Sequence, residues 1–137
     1  MTGLLGCAVV LAAASAFGLW QRRSGGRLKV RGRDKGIRLG AAELGAELGE
    51  RATLVQFSSA FCQPCRATRR TLVDVASMID GVTHVEIDAE ERLALVRELG
   101  ILKTPTVLVL DARGGIITRA AGQPRTADVI AALGQAV

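Results

Sequence analysis

Aromatic residues are scarce in this 137-residue chain, which has no tyrosine, one tryptophan and three phenylalanines. Between positions 22 and 38, eight lysines and arginines stand against one acid, with no aromatic residue among them. Proteins that bind single-stranded nucleic acid combine basic charge with aromatic rings on which bases stack. The basic run therefore does not predict a nucleic-acid partner. From Leu39 onward, ten basic residues face twelve acidic ones, so the rest of the chain is mildly acidic.

Metal ligands of the kind that zinc prefers are also few. The chain has one histidine, His84, and three cysteines, of which only Cys62 and Cys65 form a Cys-x-x-Cys pair. A structural zinc site usually takes four ligands. The sequence therefore does not favour a metal centre, and we expect no metal or other cofactor.

Charge is absent from Gly3 to Trp20, a stretch of 18 residues. As a helix it would extend about 27 Å, close to the roughly 30 Å of a bilayer's hydrocarbon core. Trp20 closes the stretch where an interfacial aromatic residue is common. We interpret residues 1–21 as a transmembrane anchor that contacts the membrane through residues 3–20.

A cleaved signal peptide is the alternative interpretation of this stretch. The sequence Ala-Ser-Ala at 14–16 resembles a cleavage site. However, no lysine or arginine precedes the apolar run, where a signal peptide carries its positive charge. The anchor is therefore favoured, with Cys7 as a lipid-facing or helix-packing residue.

The basic run that follows the apolar stretch predicts the orientation of the anchor. Basic residues that flank a span are retained on the cytoplasmic side. We interpret 22–38 as a basic juxtamembrane tether and place the soluble domain in the cytoplasm; an extracytoplasmic domain is the alternative.

From residue 39 to the end, helical and strand patterns alternate. Short apolar runs with turn signals predict strands, and apolar residues three and four apart predict helices. The predicted helices are 41–50, 64–79, 90–100 and 125–137, and the predicted strands are 52–59, 82–88, 104–111 and 115–122. This order indicates an α/β domain with a mixed sheet and helices on both faces.

The cysteine pair falls where a predicted strand meets a helix. Cys62 would precede the helix and Cys65 would lie about one turn in, with Pro64 tolerated in the first turn. A helix N-terminus and the nearby Arg66 favour a thiolate at Cys62. Cys62 could then attack a disulfide, and Cys65 could resolve the mixed disulfide that results.

These motifs resemble those of the thioredoxin-fold family over roughly residues 39–137. The similarity lies in Phe-Cys-Gln-Pro-Cys at 61–65 after a strand, Thr-Pro at 104–105, and a late glycine at 122. The resemblance implies a thioredoxin fold in which Pro105 is cis and Thr104 offers backbone groups to a bound peptide.

The resemblance also implies a substrate-binding set around the cysteines. With Thr104 and Pro105, that set would contain Phe61, Gln63 and Pro64, which shape the approach to Cys62. Phe61 stands where typical thioredoxins have tryptophan, and Gln63 where they have glycine.

The sequence departs from the thioredoxin pattern at the residue that assists proton transfer. The buried acid that assists this step in thioredoxins corresponds here to Gln56, which cannot accept a proton as a carboxylate does. His84 aligns near a position that often carries lysine in the family, and Asp88 aligns near a position that carries a structural acid. We expect His84 to be a solvated strand residue.

The predicted function is thiol-disulfide oxidoreduction on protein disulfide or dithiol substrates by a membrane-anchored monomer, with an unidentified electron donor or acceptor. A cytoplasmic domain favours the reducing direction, whereas an extracytoplasmic one favours making disulfides. Two alternatives stay open: an idle structural disulfide, and a binding or metal-transit module with little redox turnover.

Overall fold

The computed structural model describes all 137 residues. A long N-terminal helix is followed by a short 3-10 helix and a domain of alternating helices and strands. The helices are α1 (Thr2–Ser24), α2 (Ala41–Leu44), α3 (Gln63–Met78), α4 (Leu93–Leu99) and α5 (Thr126–Ala136), and the strands are β1 (Ala52–Ser58), β2 (Val82–Asp88), β3 (Thr106–Asp111) and β4 (Ile116–Ala121).

The four strands form one mixed sheet in the order β2-β1-β3-β4. β1 pairs in parallel with β2, with Ser58 opposite Asp88, and antiparallel with β3. β3 and β4 form the predicted hairpin. β1 is an inner strand and every one of its seven residues is buried, which explains why apolar residues predominate in it.

Apolar residues pack on both faces of this sheet. On one face, Leu95 and Leu99 of α4 pack with Leu44 of α2 and inward-facing strand residues. On the other face, α3 and α5 contribute the buried residues of a second layer, which are Leu72, Val75, Val129, Ala132 and Leu133. The predicted thioredoxin fold, a mixed central sheet with helices on both faces, is confirmed.

Two predicted helices are shorter than expected. The pattern at 41–50 predicts one helix, but α2 ends at Leu44 because Gly45 adopts a left-handed conformation, with φ at 70°. The predicted helix over 90–100 begins only at Leu93. Before it, the Asp88 carboxylate accepts a hydrogen bond of 2.8 Å from the Glu90 backbone N–H, which favours a turn.

Helix α1 extends beyond the predicted apolar stretch and includes Arg22 and Arg23 in its last turn. It has 23 residues, and its most apolar window has a mean hydropathy of 2.0. No side chain of α1 is buried. By length and composition the helix could cross a membrane or serve as a signal sequence.

The segment predicted as a tether makes contacts that a free linker would not make. Lys29 and Arg119 of β4 exchange backbone hydrogen bonds of 2.8 and 2.9 Å. Gly32–Asp34 forms the 3-10 helix, and Arg38 bridges to Gly115. The division of the chain at residues 21 and 38 stays a prediction, but the segment lies along the sheet and does not hang free.

A buried ion pair explains why this segment is held. Arg119 donates two hydrogen bonds to the Asp34 carboxylate, at 2.8 and 2.7 Å, and a third to the Leu99 carbonyl at 2.8 Å. Both charged side chains are at most 8% exposed. The sequence showed Asp34 only as the single acid of the basic run, and its partner lies 85 residues away.

Candidate active site

The two cysteines lie at the start of α3, as predicted. Cys62 is the N-cap residue, and its Sγ accepts a hydrogen bond of 3.2 Å from the Cys65 backbone N–H. Pro64 is in the first turn, where it removes no intrahelical hydrogen bond. Cys62 is half-buried, whereas Cys65 is only 2% exposed. An incoming molecule therefore reaches Cys62 more easily than Cys65.

Cys62 and Cys65 form a disulfide in this structure, with an S–S distance of 2.11 Å and Cα atoms 5.2 Å apart. Cys7 is the free cysteine and is exposed on α1, far from the pair in sequence. The same two sulfur atoms can exist as a dithiol or as this disulfide, which is the requirement for exchange chemistry.

The Thr104–Pro105 peptide lies beside the disulfide and is cis, as predicted. The Thr104 hydroxyl is 3.9 Å from Cys62 Sγ and 2.7 Å from the hydroxyl of Ser59. Sequence reasoning had not included Ser59. The available signal was its position directly after β1 and three residues before Cys62. The structure thus brings the loop before β3 against the loop before α3.

The other three residues of the predicted binding set are exposed around the cysteines. Phe61 is 98% exposed and has a φ of 57°, which is uncommon for a residue with a side chain. Gln63 and Pro64 are also exposed. Leu102, two residues before Thr104, is 92% exposed and was not predicted. Whether these side chains contact a substrate stays a prediction.

Gln56 is fully buried in β1 and makes three side-chain hydrogen bonds. Its Nε2 donates to the Cys65 carbonyl oxygen at 2.8 Å and to the Ser58 hydroxyl at 2.9 Å. Its Oε1 lies 3.1 Å from Nε2 of His84. Because the carbonyl of Cys65 can only accept, the amide nitrogen must face it. Gln56 therefore holds the first turn of α3 against the sheet.

Comparison with known proteins identifies the domain that carries this site. Residues 41–137 match the family described as thioredoxin-like domain. The chain belongs to the thioredoxin-like family. The match begins close to the predicted domain start at 39 and contains every candidate site residue.

The thioredoxin-like domain is similar to a curated human protein and to solved structures of two chloroplast thioredoxins. It is 37% identical over 60 residues, 44% of this chain, to human thioredoxin domain-containing protein 2, but that alignment spans only 11% of the human protein. A chloroplastic thioredoxin z structure superposes with a TM-score of 0.60 and 26% identity, over 74% of this chain and 93% of that one. Spinach chloroplast thioredoxin f superposes with a TM-score of 0.56 and 22% identity, over 64% and 78% respectively.

His84 of the thioredoxin-like domain is not the solvated strand residue that we expected. It is half-buried and hydrogen-bonded to Gln56. Burial lowers the pKa of His84 below its ordinary value of 6.5; the nearby Glu86 carboxylate opposes this shift and Arg69 adds to it. Arg69 and Glu86 form an exposed ion pair that raises the pKa of Arg69. The uncharged imidazole is therefore the form that the fold prefers.

The site contains the two cysteine sulfur atoms that thiol-disulfide exchange requires. At the position of Gln56 it has an amide and not a carboxylate that could accept the proton of Cys65. No group of three or more histidine, cysteine or acidic side chains comes together that could hold a metal ion. The arrangement of an accessible sulfur, a buried sulfur and a cis-proline loop supports thiol-disulfide oxidoreduction in general.

Proposed function

We propose that this protein is a membrane-anchored thiol-disulfide oxidoreductase that reduces disulfides of protein substrates. The observation that carries the proposal is the Cys62–Cys65 pair at the start of α3, with the Thr104–Pro105 loop beside it. Family membership supports the general chemistry, and the unequal exposure of the two sulfur atoms supports the division of roles between them.

In the proposed reaction, the Cys62 thiolate attacks one sulfur of the client disulfide. A Cys62–client disulfide forms, and one client thiolate leaves. The thiolate of Cys65 then attacks Cys62 Sγ, which forms the Cys62–Cys65 disulfide and releases the second client thiolate. Two electrons pass to the client, and a dithiol donor must return the pair to its reduced form before the next turnover.

The position of Cys62 favours its role as the attacking group. Its sulfur already accepts the hydrogen bond from the Cys65 N–H and lies at the positive end of α3, so the anionic form is stabilised. Cys65 must lose its proton in the second step. Since Gln56 cannot take it, we propose that the proton passes to water or to the released client thiolate.

Substrate contacts are proposed for the residues that surround the sulfur atoms. Thr104 and Pro105 would present backbone groups to an extended client segment beside Cys62. The exposed Phe61, Gln63 and Pro64 would line its approach on the α3 side. A ring exposed to the extent of Phe61 offers apolar area that a client can bury.

Anchoring is proposed through α1, whose uncharged residues 3–20 would cross the membrane. The eight basic residues at 22–38 favour a cytoplasmic domain. A cytoplasmic environment is reducing, so dithiol donors are available and the pair would act as a reductant.

Reduction of insulin by a dithiol, with and without the full chain in detergent, tests the redox role. We expect wild type to accelerate reduction and Cys62→Ser to abolish the acceleration. Cys65→Ser should accumulate mixed disulfides with clients, which non-reducing electrophoresis separates. Cys7→Ser is the matched control and should keep full activity, because Cys7 lies on α1.

The same variants separate this proposal from its alternative, a docking or metal-transit module with little redox turnover, which the absence of a carboxylate at Gln56 keeps open. Such a module would retain its partner in Cys65→Ser cells without any covalent link. Activity retained by Cys62→Ser would contradict the redox proposal directly.

Labelling with a membrane-impermeant maleimide tests the membrane side. Cys62 would be the only thiol in a Cys7→Ser, Cys65→Ser background. In intact, pre-reduced cells, we expect label only after permeabilisation. Full labelling of intact cells would place the domain outside and would favour the oxidising direction.

A further inference from the structure

An open cavity of about 770 Å³ lies between the end of α1 and the active-site edge of the domain. α1 contributes Gln21 and Arg22, and the loop before the cis-proline contributes Lys103. Arg125, at the start of α5, lies on another side. Pro64 and Thr104 also line the cavity, so it adjoins the disulfide.

The charged side chains that line this cavity are all of one sign. They are Arg22, Lys103 and Arg125, and no acidic side chain is among the lining residues. Basic side chains that converge without a carboxylate create a positive potential and suit an anionic group. Arg125 is more than one hundred positions away in sequence from Arg22, so the fold, and not the basic run alone, builds this charge.

The end of α1 is fixed to the domain beside the cavity. The Gly26 backbone N–H donates a hydrogen bond of 3.0 Å to the Ala121 carbonyl. Gly26 has a φ of 77°, and a Cβ there would lie 1.9 Å from the Gln123 carbonyl oxygen. Only glycine permits this approach, and three residues later Lys29 pairs with Arg119 of β4. The cavity therefore has a fixed position relative to the last turn of α1.

That position corresponds to the headgroup layer of a membrane if α1 spans it. Trp20 ends the uncharged stretch, and Gln21 and Arg22, the next two residues, line the cavity. No α1 side chain is buried, so the domain does not cover the apolar helix. The anionic group nearest to a site at this depth is the phosphate of a phospholipid.

We propose that this cavity binds the phosphate of an anionic phospholipid headgroup and so holds the active-site edge of the domain at the membrane surface. The inference rests on the proposed role of α1 as an anchor. Client disulfides would then be those close to the membrane surface, since Pro64 and Thr104 border both the cavity and the disulfide.

Native mass spectrometry of the full chain in detergent, with equal amounts of phosphatidylglycerol and phosphatidylcholine added, tests the proposal. We expect a phosphatidylglycerol adduct to exceed the phosphatidylcholine adduct in wild type. Each basic residue near an anionic membrane surface contributes about a five-fold factor in affinity. Arg125→Gln and Lys103→Gln should therefore each reduce the phosphatidylglycerol adduct by about five-fold. Arg113→Gln, an exposed arginine in the β3–β4 turn, is the matched control and should leave the adduct unchanged.

Each of the following results would overturn the proposal: equal adducts of the two lipids, an Arg125→Gln variant that binds like wild type, or displacement of the lipid by millimolar inorganic phosphate, which would indicate a free-phosphate site. Displacement by an acidic peptide would likewise assign the cavity to client binding. Alkaline carbonate extraction of reconstituted vesicles separates these results from failure of the anchor. If the chain is extracted, the proposed membrane span is wrong; if it is retained while the lipid preference is absent, the cavity proposal alone fails.

Discussion

The buried Asp34–Arg119 pair makes a strong prediction about stability. Asp34→Ala removes the acceptor of two guanidinium hydrogen bonds and leaves Arg119 with only the Leu99 carbonyl. An uncompensated buried charge typically costs about 3–5 kcal/mol. Small domains unfold with roughly 5–15 kcal/mol in total, so this one change should remove a large part of the free energy of unfolding.

Urea unfolding of the full chain in detergent micelles measures this loss. Far-ultraviolet circular dichroism is the suitable signal, because the chain has no tyrosine and its single tryptophan, Trp20, lies in α1. Arg33→Ala is the matched control: it changes an exposed neighbour in the same 3-10 helix and should shift the free energy of unfolding by less than about 0.5 kcal/mol.

A double variant tests whether the lost stability comes from leaving the Arg119 charge buried without its partner. In Asp34→Leu with Arg119→Met no charge stays buried, so most of the lost stability should return, since apolar replacement of buried pairs is often neutral. A decrease below about 1 kcal/mol in Asp34→Ala would refute the reasoning, because it would mean that solvent reaches Arg119 or that the segment is held by other contacts.

Three further predictions concern the buried network and the junction. Because the pKa of His84 is lowered in the fold, the unfolded chain takes up a proton at a higher pH than the folded chain does. As the pH falls below about 6.5, urea titrations should show wild type losing stability relative to His84→Gln. The same pH dependence of stability in both proteins would contradict this. Gln56→Leu, which leaves buried polar partners unpaired, should lower the free energy of unfolding by about 1–3 kcal/mol at neutral pH, and an unchanged midpoint would contradict the network. Gly26→Ala should abolish the hydrogen-exchange protection of backbone amides at the junction between α1 and the domain. Gly36→Ala, also at positive φ but in open space, should keep this protection and lower the free energy of unfolding by only about 1–2 kcal/mol. Equal loss of protection in the two variants would count against a fixed junction.

Much of the fold could be predicted because local pattern and tertiary role agree. Strand β2 matches its predicted bounds, and α3 and α5 each differ from theirs by one residue at either end. The buried β1 is a short run of mostly apolar residues, and the amphipathic α3 has apolar residues three and four apart. The cysteines could be placed because the residues that end β1 and begin α3 are adjacent to them in sequence.

What could not be predicted depends on contacts between distant residues. Nothing local to His84 indicates that a buried amide 28 residues earlier will accept its N–H. The segment that contains Asp34 appears as a charged linker until Arg119 is placed beside it. The left-handed Gly45 likewise shortens α2 although the apolar spacing continues. Sequence patterns report periodicity, whereas these features depend on tertiary geometry.

The backbone pairing of Lys29 with β4, and of Arg38 with Gly115 just before it, also determines where the domain can be cut. β4 is an outer strand of the sheet, and these residues cover part of its open side, as does the 3.3 Å hydrogen bond from the Ile116 N–H to the Ile37 carbonyl. A fragment that begins at 41, where the family match begins, would expose unpaired backbone groups along β4. Such an edge is a template for pairing between molecules, so that fragment should aggregate, and a fragment that retains the chain from Gly26 should stay dispersed.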